Sequence, residues 1–264
     1  MTNDIYSIKV NNKTTNYFKF GCGKNIMVII PGLSIKSVIE SKDIIINDYH
    51  TFEEEYTVYC FDRIRDVDNN YSIFDMAKDL EDVLIELKLD NIYLFGTSQG
   101  GMISMIMAIN KVINIKKLVL GSTTYIIDNN KFNQINEWIN LAINRKSEDL
   151  CLSFSKLIYP EEVFNKSLNL VRDLAKTITD EELDRFIVFA KALKDFNIIS
   201  KLKEINCDTL FINDKTDKLL GDMSSLINNI NLPKISSYTY EGYGHAAYDL
   251  APDYKEKIKE FFEK

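Results

Sequence analysis

Ser98 lies in Gly96-Thr97-Ser98-Gln99-Gly100, a match to G-x-S-x-G. A serine hydroxyl is a poor nucleophile at its free pKa. Acyl transfer on it needs a base within hydrogen-bond reach, and that base needs an acceptor to fix its tautomer. The chain has two histidines. His50, before Thr51-Phe52-Glu53-Glu54-Glu55, reads as a surface residue. A lone histidine is commonly structural, but His245 follows Gly242-Tyr243-Gly244 on a loop between a strand-like segment and a final helix, which suits a base. Two acids, Asp214 and Asp217, follow the apolar run Cys207–Ile212. A loop must travel a few residues beyond its strand before a carboxylate can turn back towards a histidine. Asp217 is therefore favoured, with Asp214 placed to bond backbone in the turn. The oxyanion of acyl transfer needs two preorganised donors, and the backbone N–H groups of Gln99 and of Leu33, in Pro31-Gly32-Leu33-Ser34, are the candidates.

These residues must be held by a particular arrangement of elements. Asn91–Phe95 is a short apolar run and Gln99–Asn110 (QGGMISMIMAIN) is apolar on every side, so the serine is expected between a buried strand and a buried helix. Such a reversal brings the backbones so close that glycine is needed two residues either side of the serine. The bland alternative is a glycine-rich turn with an idle serine; the strand before, the helix after and a third glycine, Gly101, argue against it.

The remaining chain supplies the same kind of frame. Ile5–Val10 and Thr15–Phe20 alternate around an Asn-rich turn and predict a hairpin. Ile26–Ile30 and Tyr56–Phe61 predict strands, with helical spacing over Ile35–Tyr49 between them. Ser72 is placed to cap a helix over Ile73–Leu87, beyond a polar loop at Asp66–Asn70, with Phe74, Ala77, Leu80, Leu84 and Leu87 on its apolar face. Lys117–Leu120, Cys207–Ile212 and Ser236–Tyr240 complete eight strands. Helices around Asp222–Asn229 and from Pro252 to Glu263 follow the last two. From Thr123 to Lys203 no strand is evident, only amphipathic stretches: one through Ile135, Trp138, Ile139 and Ala142, then Leu150–Ile158, Val163–Ile178 and Glu182–Leu193. The pattern implies an α/β class, with a mostly parallel sheet in residues 1–122 and 204–264 and an inserted helical cap in 123–203. Most of the cap's apolar stripe is expected to be core, while Phe154, Tyr159, Phe164, Phe186 and Phe189 are spare enough to line a pocket.

Composition narrows the function. The formal net charge is −7, and the lysine pairs (Lys116-Lys117 among them) are interleaved with acids or apolar residues, which argues against nucleic-acid binding. No apolar run reaches the length of a membrane span, and MTNDIYSIKV has no secretory pattern. Cys22, Cys60, Cys151 and Cys207 form no CxxC pair and read as buried thiols in a reducing, cytoplasmic setting. Two histidines leave little scope for a metal centre, and neither metal nor organic cofactor is expected.

Ser98, Asp217 and His245 occur in the chain order of nucleophile, acid and histidine, and the whole chain resembles a serine α/β-hydrolase. Pro31-Gly32-Leu33 stands where many members have His-Gly-x, and Asp62-Arg63 resembles the start of the D-x-R-G-x-G-x-S loop, although Ile64–Asp68 departs from it. Tyr71–Leu80 and Gly242–His245 are close to common family patterns. The resemblance implies an eight-stranded sheet with helices on both faces. It also implies two-step acyl transfer on Ser98 with a small-molecule acyl substrate: an apolar ester, lactone or thioester of small or medium size. The same triad serves acyltransferases, peptidases and carbon–carbon bond hydrolases. An iminopeptidase would need cap carboxylates, for which Glu161, Glu162, Glu181 and Glu182 are available but read as solvated. A ligand-binding protein on the hydrolase scaffold is the non-enzymatic alternative, and a homodimer is compatible with any of these.

Overall fold

Ile26–Ile30, Tyr56–Phe61 and Ile92–Phe95 show little alternation because each lies inside one sheet with cover on both faces. The computed structural model describes residues 4–65, 67–230 and 232–264; Asp66, in the expected polar loop, and Met1–Asn3 lie outside the described residues. Among the described residues there are eight strands: β1 (Ile5–Val10), β2 (Lys13–Phe20), β3 (Asn25–Ile30), β4 (Tyr56–Phe61), β5 (Ile92–Thr97), β6 (Ile115–Gly121), β7 (Asp208–Asp214) and β8 (Ile235–Tyr240). They run side by side as β1-β2-β4-β3-β5-β6-β7-β8. β2 runs against the other seven strands, and every pair from β4–β3 to β7–β8 is parallel. The β1–β2 hairpin turns on Asn11 and Asn12, both with positive φ (50° and 64°), a conformation that asparagine tolerates well.

Helices cover both faces. They are α1 (Lys42–Asp48), α2 (Ile73–Glu86), α3 (Gln99–Asn110), α4 (Asn129–Ile143), α5 (Ser147–Ile158), α6 (Glu161–Ala175), α7 (Asp180–Lys191), α8 (Ser224–Asn228), α9 (Ala247–Leu250) and α10 (Tyr254–Glu263). The larger apolar cluster joins one sheet face to α2, α3 and the α4–α7 insertion. The smaller joins the other face to Tyr49, Phe52 and the Tyr254, Ile258 and Phe262 stripe of α10. Ser72 caps α2 through a reciprocal capping box with Asp75. All four insertion helices fall where apolar periodicity places them. Among the described residues no helix is long and apolar enough to cross a membrane.

Four expectations change. The Ile35–Tyr49 helix is two short pieces, a 3-10 turn at Val38–Ser41 and α1, because too few apolar residues face the sheet to sustain one long element. Phe74 stands 43% exposed at the start of α2, and Ile73, Met76 and Val83 take inward places instead. Helical spacing alone does not fix which side of a stripe faces inward. Phe186 and Phe189 are fully buried core rather than pocket lining. Cys22 is exposed; Cys60 and Cys151 are the buried thiols, and Cys207 lies between.

The topology sets the ligand edge. From β3 the chain crosses outward to β4, then returns past β3 to β5, so successive loops diverge at the carboxyl ends of β3 and β5. That divergence opens a crevice in doubly wound sheets. Holding α3 against β5 is partly the task of α2, where buried Glu81 accepts two hydrogen bonds from Asn110 of α3 (3.1 and 3.2 Å). Burial pushes the Glu81 carboxyl up from 4.5 to about 7. A raised folded-state value means that folding retains a proton which the unfolded chain releases between these limits. Stability from this group therefore falls as pH rises through that window. Glu81→Gln should unfold at higher urea concentration than the parent at pH 8, by about 1–2 kcal/mol, and close to the parent's midpoint at pH 4.5. An equal shift at both pH values would contradict the buried carboxylate.

Candidate active site

Ser98 is the single residue between β5 and α3. Its backbone sits at φ 50°, ψ −121°, a region costly for any residue with a Cβ. Its N–H donates to the Gly121 carbonyl (2.9 Å), and its carbonyl accepts from Thr123 Oγ1 (2.7 Å) and the Gly101 N–H (3.0 Å). The flanking glycines are required by contact: a Cβ on Gly96 would run into the Gly100 carbonyl, and one on Gly100 into the Ile30 and Pro31 carbonyls. Neither the Leu33 nor the Gln99 N–H has a hydrogen-bond partner among the described residues. The Gln99 N–H is one of the first-turn donors of α3 that no intrahelical carbonyl can satisfy.

His245 lies on a short 3-10 turn after β8, and Asp217 on the loop after β7. His245 Nδ1 is 2.8 Å from Asp217 Oδ2, with the residues only 1% and 6% exposed. Asp217 Oδ1 accepts the Leu219 and Leu220 N–H groups (2.8 and 2.9 Å), so the carboxylate is fixed from both sides. A carboxylate already accepting two N–H groups takes the Nδ1 proton as a third. That assigns the tautomer in which the neutral ring's Nε2 carries a free lone pair. Asp214 is used differently. Its Oδ1 accepts the Thr216 N–H (2.7 Å) and hydroxyl, and its Oδ2 the Tyr243 N–H (2.9 Å). The two acids thus divide as the loop length suggests. His50 is exposed, with Nδ1 2.6 Å from the Asn47 carbonyl.

Ser98, His245, Gly32 and Leu33 line one cavity of about 50 Å³, roofed by Ile135 and Trp138 of α4 and Phe154 of α5. Of the five aromatic residues expected to line a pocket, only Phe154 does so. Tyr159 lies 3.5 Å from Asp249 through its hydroxyl. Trp138 and Ile135, whose spacing reads as core, form the roof. A wider, open depression of about 510 Å³ sits at the opposite, amino-terminal edge of the sheet, among Asp90, Lys111 and Lys234, and holds none of these groups.

A family model described as alpha/beta hydrolase fold matches residues 25–252. The chain belongs to the α/β-hydrolase family. Solved structures agree on the fold. An α/β-hydrolase enzyme from a Medee basin deep-sea metagenome library superposes with TM-score 0.86 at 18% identity, over 98% of each chain. An esterase from Exiguobacterium antarcticum gives 0.79 at 19%, over 97% of this chain and 98% of its own. The enol-lactonase from Burkholderia xenovorans gives 0.80 at 14%, over 98% and 100%. A sequence search of curated proteins returns no match.

This α/β hydrolase ties its insertion to the sheet through side-chain contacts that the sequence did not assign, and through one residue, Arg185, that it did not single out. Arg185 of α7 pairs with Asp62, just beyond β4 (3.2 Å); their side chains are 16% and 3% exposed. Asp62 also accepts from Ser37 (2.6 Å). The Gln99 side chain donates to the Phe189 carbonyl of α7 (2.7 Å) and accepts from Arg63 Nε at 3.4 Å. The only available signal was the charged pair Asp62-Arg63 at the end of an apolar strand, where an unpartnered charge would be costly. Removing one member of a buried pair strands the other. Arg185→Ala should therefore destabilise the fold by about 2–4 kcal/mol in chemical denaturation. Adding Asp62→Asn should recover part of that loss, whereas simple additivity of the two changes would mean that the pair is not coupled.

Proposed function

We propose that this α/β hydrolase is a serine hydrolase that cleaves a small, largely apolar carboxylic ester, lactone or thioester through an acyl-enzyme on Ser98. The observation that carries the reading is the buried His245–Asp217 hydrogen bond of 2.8 Å, with His245 sharing a cavity with a serine held in strained backbone. A structural histidine needs no such acid, and an idle serine needs no such strain.

In this reading His245 Nε2 takes the Ser98 hydroxyl proton as Oγ bonds to the substrate carbonyl carbon. Asp217 keeps the proton on Nδ1 and stabilises the imidazolium. The carbonyl π electrons move onto oxygen, and the N–H groups of Leu33 and Gln99 receive that oxyanion. His245 then gives its proton to the leaving oxygen as the tetrahedral centre collapses. Water enters the acyl-enzyme by the same sequence in reverse, and the acid departs with Ser98 restored.

The α4–α7 block, residues 123–203, acts as the cap. Its roof over Ser98 is Ile135, Trp138 and Phe154, and the cavity beneath it is small, about 50 Å³. That room favours a short acyl group and requires the cap to shift for anything longer. Among the described residues no carboxylate lines this cavity. Glu161, Glu162 and Glu181 are exposed, and Glu182 caps α7 and pairs with Lys36, which leaves an iminopeptidase reading without an anchor for the substrate amine.

Initial rates on p-nitrophenyl esters of increasing acyl length test the proposal. Acetate or butyrate should be the best substrate, and Ser98→Ala should lower kcat by about three orders of magnitude or more. Phe154→Ala should move the optimum to a longer chain by opening the roof. Wild-type protein that neither turns over these esters nor reacts at Ser98 with a fluorophosphonate would refute the enzyme reading.

A further inference from the structure

We infer that Arg63 is a positioning residue for the oxyanion hole: its guanidinium orients the Gly32–Leu33 peptide and braces Gln99, so that both donor N–H groups face the substrate oxygen. The inference rests on the proposed acyl-transfer reading and extends it to a residue outside the triad.

Arg63 follows β4 by two residues, and its Nη2 donates to the Pro31 carbonyl at 2.5 Å and lies 3.5 Å from the Gly32 carbonyl. No other hydrogen bond among the described residues reaches either oxygen. The Gly32 carbonyl and the Leu33 N–H belong to one planar trans peptide and point in opposite directions. Drawing the carbonyl towards the guanidinium therefore turns the N–H the other way. Leu33 and Gly32 border Ser98 in the cavity, and a Cβ on Gly32 would lie 3.0 Å from the Ser98 Cβ.

The anchor matters because of what stands at residue 32. Glycine lets a peptide rotate through conformations closed to other residues. Absence of a side chain lets this loop pass the serine, but it also leaves the Gly32–Leu33 plane without steric restraint. A rotated plane would aim a carbonyl oxygen at the developing oxyanion. A cation behind the peptide opposes that rotation and polarises the N–H.

Arg63 also reaches the second donor's residue. Its Nε is 3.4 Å from Gln99 Oε1, while Gln99 Nε2 donates to Phe189 of the cap. Burial lowers the guanidinium pKa to about 10, so the group is still charged at neutral pH. No carboxylate forms an ion pair with it among the described residues; neighbouring Asp62 pairs with Arg185 instead. A partly buried arginine spent on two loop carbonyls and an amide serves that loop's geometry.

The test compares wild type, Arg63→Lys, Arg63→Met and Ser98→Ala on the best p-nitrophenyl ester, with a trifluoromethyl ketone as the oxyanion probe and thermal midpoints as the fold control. Arg63→Met should lower kcat about 30- to 100-fold with KM changed less than about threefold, and ketone affinity should fall roughly in step with kcat. Arg63→Lys, which keeps the charge but not the fork, should fall between. If Arg63→Met proves too unstable to assay, the Lys variant alone must still lose more kcat than substrate affinity. Folded variants with undiminished kcat, or a loss confined to KM, would overturn the inference while leaving the hydrolase reading intact. A wild type without turnover or labelling at Ser98 would overturn both.

Discussion

The close approach of Gly100 of α3 to the Ile30 and Pro31 carbonyls, which leaves no room for a Cβ, governs the rest of the site. It brings α3 down onto the end of β3 and forces the chain to reverse in a single residue. Ser98 absorbs the reversal at φ 50°. Such a conformation costs about 1–3 kcal/mol. Against it stands α3 itself, where Met102, Ile103, Met105, Ile106 and Met107 are all buried. At about 2 kcal/mol each, those five side chains contribute roughly 10 kcal/mol, so the strain is held comfortably. The same helix therefore explains its own composition: it is apolar all round because sheet, α2 and insertion each take a side.

The polar groups at the sheet's carboxyl edge are organised by division of labour between two aspartates only three residues apart. Asp214, the last residue of β7, accepts from Thr216 on its own loop and from Tyr243 on the loop after β8. It thereby ties together the two loops that carry Asp217 and His245. Asp217 can then spend one oxygen on backbone and one on the imidazole. Neither carboxylate is buried without partners, and at buried positions that matters more than the strength of any single bond.

The frame and the pairing of His245 with Asp217 were legible because each depends on local, directional signals. Continuous apolar runs mark buried strands, glycines two residues either side of a serine mark the close approach, and loop length separates Asp217 from Asp214. The candidate donors Leu33 and Gln99 were named from position alone, since every residue but proline has an N–H. What stayed hidden depends on rotation and on distant partners. Whether Trp138 is core or roof depends on how α4 is turned, and 3.6-residue periodicity leaves that angle free. Phe186 and Phe189 went inward for the same reason. Arg63 and Arg185 find their partners 32 and 123 residues away, and although charges at the end of an apolar strand call for partners, nothing near either arginine says where those partners lie.

Gln99 joins the two halves of the problem. Its backbone N–H belongs to the proposed oxyanion hole, while its side chain bridges Arg63 of the core to Phe189 of the insertion. A lateral shift of α7 large enough to widen the cavity must lengthen the Gln99–Phe189 bond or carry the Gln99 side chain with it. The nearby Asp62–Arg185 pair resists the same displacement, since separating it would leave a carboxylate buried without its cation. Opening by tilting α4 and α5 alone would spare both contacts, because Trp138 and Phe154 pack on each other (ring centroids 4.7 Å apart) and on the site from above. The insertion is thus asymmetric. The α7 side is fastened to the residues around Ser98 through Gln99 and the Asp62–Arg185 pair, whereas the α4–α5 side meets the cavity through a surface that is apolar apart from Lys131.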